Sequence, residues 1–348
     1  MPELQRTAPL AAARESRRDG AEIFSQVSSR RIVSAALIGV AAYGGLLLYA
    51  DFGALVSSMG NLPGMAYLTA LALSSGAFLL RFARWQIYLR MLSIKVGLRD
   101  SLLVFFSGFA MTITPGKMGE VLKSLMLKHA RGVPVARSSP IVVAERITDL
   151  FGLLLLMGAG CLFLPNGVII STLAAASVAE GTVVCLSDRF GSWCIGIVVR
   201  IPRAALYESK LRTAYGSLRE VMTPKMLAAA QLLSLASWGL QCLTVSVFAA
   251  NVPAMHLGLL GALIVFCAPL IAGAICLIPG GLGPTEASMT GAIRALSAGV
   301  ATPAVAAAIT IAVRLVSFWF AVVIGCVALT VWRLKRTPTA GSETKQLG

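Results

Sequence analysis

Along most of this chain the apolar residues fall in long blocks and do not alternate with polar ones. A hydrocarbon layer of ~30 Å takes ~20 helical residues to cross. Blocks of that order run at about 32–50, 65–83, 138–164, 168–187, 226–250 and 304–332, and they predict six membrane-crossing helices.

Two further apolar blocks do not fit as simple crossings, and the distribution of cations shows why. The block from Ser101 to Ile113 is about 13 residues long, the length of a segment that enters and leaves on one side. Arg81, Arg84, Arg90, Lys95 and Arg99 precede it, and Lys117, Lys123, Lys128, Arg131 and Arg137 follow it. Cationic flanks stay in the cytoplasm, so both ends of this block belong there. The second block, 258–298, is an apolar run to Ile278, a Gly/Pro break, and a short helix-like piece from Glu286 to Ala298. It follows a loop, 251–257, that has no Lys or Arg and is expected outside. The last crossing, 304–332, leads to a basic tail (Arg333, Lys335, Arg336, Lys345) expected inside. Residues 258–298 must then begin and end outside, as a hairpin entering from the opposite face. Two ordinary spans there, or a full span at 98–116, are the alternatives that hydropathy leaves open.

The expected fold is therefore all-α and polytopic, with about six full spans and two oppositely oriented re-entrant hairpins, eight apolar elements in all. Both hairpins share a motif. Residues 115–120 read PGKMGE and residues 279–286 read PGGLGPTE, so that Pro115, Gly116 and Gly119 match Pro279, Gly280 and Gly283, with Gly281 inside the second copy. Further on, the segment from Gly132 resembles the segment from Gly299 and aligns Arg146 with Arg314, again about 165 residues apart. Each half reads as span, span, hairpin, span, and three crossings separate equivalent points, which makes the repeat inverted. Paired Gly/Pro-interrupted segments at matching positions are the pointer to a transporter site near the midplane. Irregular backbone at that depth needs protein or water around it, which implies a cavity between the hairpins.

This pattern divides the chain into a basic cytoplasmic leader (1–31, disordered or surface-lying) and a first half (32–164). A second half (165–333) follows, with a cytoplasmic amphipathic linker at 188–225, and then a cytoplasmic tail (334–348). A solvated linker is the plainer reading of 188–225. A leader so long and polar is not a typical signal peptide, so the first span is expected to anchor a cytoplasmic N-terminus in a bacterial cytoplasmic membrane.

Composition agrees with this reading and changes the meaning of the charge. The chain has 348 residues, 57% hydrophobic and 13% charged, with a mean hydropathy of +0.81, which excludes an ordinary soluble enzyme. Its net charge of +15 would suggest nucleic acid in a soluble protein. Here all basic residues but Arg146, Arg294 and Arg314 fall in segments expected in the cytoplasm, so no nucleic-acid partner is needed. The seven cysteines are scattered without a CxxC pair and there are two histidines. No metal site, disulfide framework or cofactor is expected. Nor is an enzyme: the chain has no GxxxxGK[ST], HExxH or GxSxG motif.

Ionisable residues at membrane depth are costly and mark function by default. Glu145 and Asp149 share a helix face, and Arg146 can pair with Asp149 three residues on. A structural ion pair and a substrate role weigh equally there. Arg314 has no acid nearby on its own helix, and Glu120, Glu286 or Asp149 would have to serve it. Lys117 and Lys123 flank the first hairpin tip, where helix N-terminal N–H groups also favour an anion. Their plainer role is an interfacial one, and that of Arg84 and Trp85 is to anchor the end of the second span.

At these residues the sequence resembles the integral membrane family named for the transmembrane region of lysylphosphatidylglycerol synthase, also called flippase-like proteins. The marks are Arg84–Trp85, the PGKMGE box with Lys123 after it, ERITDL from Glu145 to Leu150, PGGLG with Glu286, and RLVSFW from Arg314 to Trp319. The resemblance spans about residues 30 to 333. It implies translocation of an amphipathic lipid of phospholipid, polyprenyl-phosphate or hopanoid type, and the shortness of the tail implies no aminoacyltransferase domain. The candidate substrate-binding set is Arg84, Trp85, Lys117, Glu120, Lys123, Glu145, Arg146, Asp149, Glu286 and Arg314, with anionic lipid headgroups as partners. Transport would be passive or coupled to an ion gradient through Glu120, Glu145, Asp149 or Glu286. The rival is a membrane subunit that organises a lipid or cell-envelope biosynthetic enzyme. A homo-oligomer or such an enzyme remains open as a further partner.

Overall fold

The computed structural model describes residues 51–113, 122–200, 208–255, 257–276 and 278–335. The leader 1–31, the expected crossing at 32–50, the first hairpin tip at 115–120 and tail residues from 336 lie outside the described residues.

Within them the chain is helical, with no strand. In chain order the helices are α1 (Phe52–Gly60), α2 (Gly64–Met91), α3 (Leu98–Ser107), α4 (Leu122–Arg131), α5 (Val135–Cys161), α6 (Gly167–Leu186), α7 (Asp188–Val199), α8 (Glu208–Val221), α9 (Pro224–Ala249), α10 (Leu259–Ile275), α11 (Pro284–Leu296), α12 (Pro303–Arg314) and α13 (Phe320–Leu334). A 3₁₀ turn at Gly108–Ile113 extends α3, another at Pro279–Gly281 lies between α10 and α11, and a π turn at Leu315–Trp319 joins α12 to α13. Starts follow local chemistry. Asp51 accepts bonds from the Gly53 and Ala54 N–H groups (2.9 and 3.2 Å) to cap α1, while Thr302 caps α12 ahead of Pro303.

Among the described residues four elements are long and apolar enough to cross a membrane: α2, α6, α9 and the continuous Pro303–Leu334. The protein is thus an integral membrane protein with several apolar helices. Helix α5, 27 residues long, matches another expected crossing and carries Glu145, Arg146 and Asp149 near its middle. Among the described residues both expected hairpin segments break from α-helix, at Gly108–Ile113 and at Pro279–Gly281, and α10 (17 residues) and α11 (13 residues) are each shorter than a full crossing needs. Helix α2 runs to Met91, past the expected end at 83, because Arg84 is buried against partners inside the protein and does not close a span. The reading of Arg84 and Trp85 as an interfacial anchor is therefore corrected: they are 2% and 0% exposed. Within the segment 188–225, α7 and α8 are helical among the described residues, and α8 packs on α5 with Arg137 bidentate to Glu220 (2.6 and 2.7 Å).

Contacts between the halves are exchanged in a regular way. Helices α2 and α9 pack on each other; α10 packs on α5, and α3 with its 3₁₀ turn packs on α13. The last long helix of each half thus lies against the first limb of the other half's broken helix. Gly160 and Gly325, 165 residues apart, sit at these two contacts. A Cβ on Gly160 would lie 2.8 Å from the Leu260 carbonyl oxygen, and one on Gly325 would collide with the backbone of Phe109 and Ala110. Between helices in lipid, such close approach replaces the hydrophobic drive that water would supply.

The apolar core has two main parts. One joins Leu62 and the N-terminal half of α2 (Ala66, Ala70) to the C-terminal half of α9 and to α10 and α12. The other joins the C-terminal half of α2 (Phe82, Trp85, Tyr88, Leu89) to α3, α4 and the start of α9. Where the antiparallel α2 and α9 cross between these clusters, the packing is polar.

A cationic cavity at the polar waist

Four small hydrogen bonds mark the waist. Ser74 Oγ donates to Gln241 Oε1 (3.4 Å), Arg81 Nε to Ser237 Oγ (2.9 Å), Ser237 Oγ to the Ala77 carbonyl (3.1 Å), and Ser234 Oγ to the Thr148 carbonyl (2.9 Å). Asp149 of α5 stands at the centre. Its Oδ1 accepts from Arg84 Nη2 (2.8 Å), from Ser234 Oγ (3.3 Å) and from Trp238 Nε1 (3.3 Å), and its Oδ2 lies 3.1 Å from Arg146 Nη2. Arg84 Nη1 also donates to Thr148 Oγ1 (2.9 Å). Arg81 lies over the Trp238 ring, with its Cζ 4.0 Å from the centroid. Three guanidiniums therefore surround one carboxylate and one indole. Arg146 pairs with Asp149, as the spacing of three predicts.

Two further ion pairs flank this cluster, one in each half. Lys123 Nζ of α4 donates to Glu145 Oε2 of α5 (2.5 Å), and both side chains are almost fully buried. Arg314 Nε at the end of α12 donates to Glu286 Oε1 of α11 (2.6 Å), and Arg314 Nη2 donates to the Gly280 carbonyl (3.1 Å). Of the partners the sequence offered Arg314, the structure selects Glu286. Its Oε2 accepts the Gly283 N–H (2.7 Å), so one carboxylate both caps α11 and holds the arginine. Gly283 and Gly280 have φ of 95° and 64°, conformations that favour glycine and let the chain turn beneath Arg314 and Phe318. The pairs have opposite polarity: the broken helix supplies the cation in the first half and the anion in the second.

All three groups meet at a cavity of about 360 Å³. Arg81, Arg84, Lys123, Arg146 and Arg314 line it, with Glu145 and Asp149 as the lining carboxylates. Counting Glu286 behind Arg314, the described residues bring five cations and three carboxylates to the site. Apolar side chains such as Phe109, Phe266, Leu270 and Phe318 complete the wall, with Gly280 and Gly281 at the turn.

Of the residues singled out in the sequence, Arg84, Lys123, Glu145, Arg146, Asp149 and Arg314 are brought together. Glu286 acts from behind. Trp85 is beside the cavity and not on it: its Nε1 donates to Ser101 Oγ (3.1 Å), and its ring centroid lies 4.9 Å from Lys123 Nζ. Pro279 begins the second turn. Pro115, Gly116, Lys117, Gly119 and Glu120 lie outside the described residues. Arg81, Trp238 and Gln241 were missed. A stripe on α9, with Ser234, Ser237, Trp238 and Gln241 spaced by three or four in an otherwise apolar helix, is the signal that finds the last two. Among the described residues no group of His, Cys, Asp and Glu could hold a metal ion, and Cys242 and Cys267 are free thiols with Sγ atoms 3.6 Å apart.

A family model described as the transmembrane region of lysylphosphatidylglycerol synthase matches residues 34–325. A relative named UPF0104 membrane protein, from Methanothermobacter thermautotrophicus, is 27% identical over 319 residues, covering 84% of this chain and 93% of its own. The match runs through both broken helices and every described wall of the cavity, and the chain belongs to the lysylphosphatidylglycerol synthase transmembrane-region family of membrane proteins.

Proposed function

We propose that the chain moves an amphipathic lipid with an anionic headgroup across the membrane, seating the headgroup in the cationic cavity while the tails stay in lipid. The observation that carries this reading is the gathering of five cations against three carboxylates among the described residues of the polar waist, on helices long enough to place it at membrane depth. Cations gathered at that depth are costly, and an anionic ligand stabilises them. In this reading both broken helices are re-entrant hairpins entering from opposite faces, with six crossings around them and both termini in the cytoplasm. The exchanged helix contacts and the Gly160/Gly325 pair support an inverted repeat. Glu145, Asp149 and Glu286 each lie within 3.1 Å of a cation, which supports a role in holding the arginines and lysine in place and transport that runs passively.

The test is reconstitution of the full chain in phosphatidylcholine vesicles with a fluorescent phosphatidylglycerol analogue, following the fraction accessible to an external quencher over time. Movement above the empty-vesicle rate, lowered at least tenfold by Arg146→Ala, is the expected result. A rate equal to that of empty vesicles would sink the proposal.

A further inference from the structure

The cavity is not closed on all sides, and the residues at its opening differ in kind from those inside. Three lining residues mark an opening on one side: Leu150, exposed at 45%, Arg146, with 36% of its side chain exposed, and Ala274, which is exposed. The first and second lie one turn apart on α5, and the third lies near the C-terminal end of α10, which packs on α5. An opening thus lies at the gap between these two helices.

The surroundings of this gap are apolar. On α5 an outward stripe runs through Ile147, Leu150, Leu154 and Met157, spaced by three and four, with Arg146 as its charged member. On α10 the neighbours of Ala274 are Leu270, Ile271 and the 74%-exposed Ile275. A rim of this composition on an integral membrane protein faces hydrocarbon. A mouth rimmed by hydrocarbon-facing residues near the middle of a 27-residue helix opens sideways. Directly behind it stand Arg146, Arg84 and Arg81 around Asp149 and Trp238, three guanidiniums to one carboxylate among the described residues. Guanidiniums match the planar and tetrahedral oxyanions they bind in bidentate fashion. Their side-by-side placement behind an apolar mouth fits a group that is both multiply charged and attached to an alkyl or isoprenyl tail.

We infer that the gap between α5 and α10 is a lateral port, in which the phosphoryl group of a membrane lipid is held by Arg81, Arg84 and Arg146 while its tail passes out between Leu150 and Ala274. The inference rests on the transport reading above and adds which wall opens, which chemical group is held, and a role for Arg81. The phosphoryl oxygens join the present partners of these arginines and in part replace Asp149.

Two substitutions narrow the port from either side: Leu150→Trp and Ala274→Phe. Val143→Trp is the control, 47% exposed on the same helix and away from the cavity. One arm follows a fluorescent phosphatidic acid in phosphatidylcholine vesicles, and the other follows binding of radiolabelled inorganic phosphate to the solubilised full chain. The port predicts a tenfold or greater loss of lipid movement in both narrowed variants, phosphate binding within twofold of the unaltered protein, and no effect of Val143→Trp. The seat predicts tenfold weaker phosphate binding in Arg81→Gln, partly restored in Arg81→Lys, with unfolding midpoints showing that both variants fold. Lipid movement at the unaltered rate in both narrowed variants, with Arg146→Ala still slow, overturns the port and leaves the transport reading standing. Phosphate binding indifferent to Arg81→Gln overturns the seat. An unaltered protein that moves no lipid overturns the port together with the function on which it rests.

Discussion

Glu286→Ala removes a carboxylate that is 0% exposed and has two partners, Arg314 Nε at 2.6 Å and the Gly283 N–H at 2.7 Å. Breaking a buried pair by deleting one partner costs about 3–5 kcal/mol, because the remaining charge is left without compensation. Arg314 keeps its bond to the Gly280 carbonyl and its place over Phe318, with Cζ 4.2 Å from the ring centroid, so the lower half of that range, about 3–4 kcal/mol, is expected. Losing the hold on the Gly283 N–H adds about 1 kcal/mol. Replacing both partners by apolar residues of similar size, Glu286→Leu with Arg314→Met, removes the uncompensated charge and is expected to cost less than Glu286→Ala alone. The assay is equilibrium unfolding in mixed detergent micelles, followed by helical circular dichroism, for both single variants and the double. A loss under about 1 kcal/mol for Glu286→Ala, or a double variant as unstable as the sum of the singles, would refute the claim that the pair is held in a buried, low-dielectric setting.

Asp149→Asn is expected to destabilise by about 3 kcal/mol in the same assay, since it uncouples Arg84 and Arg146 at once. Glu220→Gln, at the half-exposed pair with Arg137, is expected to cost under about 1 kcal/mol and so calibrates the buried values. Gly325→Leu should prevent α13 from approaching the Gly108–Ile113 turn and lower the yield of folded protein, because the atoms it meets are backbone of Phe109 and Ala110 and cannot rotate away. Trp238→Phe keeps most of the apolar volume but loses the 3.3 Å bond to Asp149, and is expected to reduce lipid movement severalfold with a stability loss of about 1 kcal/mol.

Much of the molecule is legible in the sequence wherever an element's role is carried by its own residues. The block lengths place α5, α6, α9 and the final helix within about three residues of their ends and α2 at its start, and α10 and α11 are broken where the Gly/Pro motif says. Glu145, Arg146, Asp149 and Arg314 stand out because a charge inside an apolar block has no local explanation. What the sequence does not show is pairing across elements. Hydropathy ends the second span at Arg84, yet the helix continues because Thr148 and Asp149, 64 and 65 residues away, satisfy the guanidinium. The same blindness hid Arg81, which reads as a cytoplasmic flank until Trp238 and Ser237 are seen beneath it. Lys123 and Glu145 lie 22 residues apart in different helices, and only the fold makes them a pair.

The central claim is that headgroup charge governs passage through the cavity, and one comparison tests it most directly. Fluorescent phosphatidylglycerol and phosphatidylcholine of equal tail length are followed in the same vesicles holding the full chain. The account predicts that the anionic lipid moves at least tenfold faster, and that Arg146→Ala with Arg81→Gln brings the two rates together. Equal rates for both lipids in the unaltered protein, or a preference that survives loss of both arginines, would contradict it.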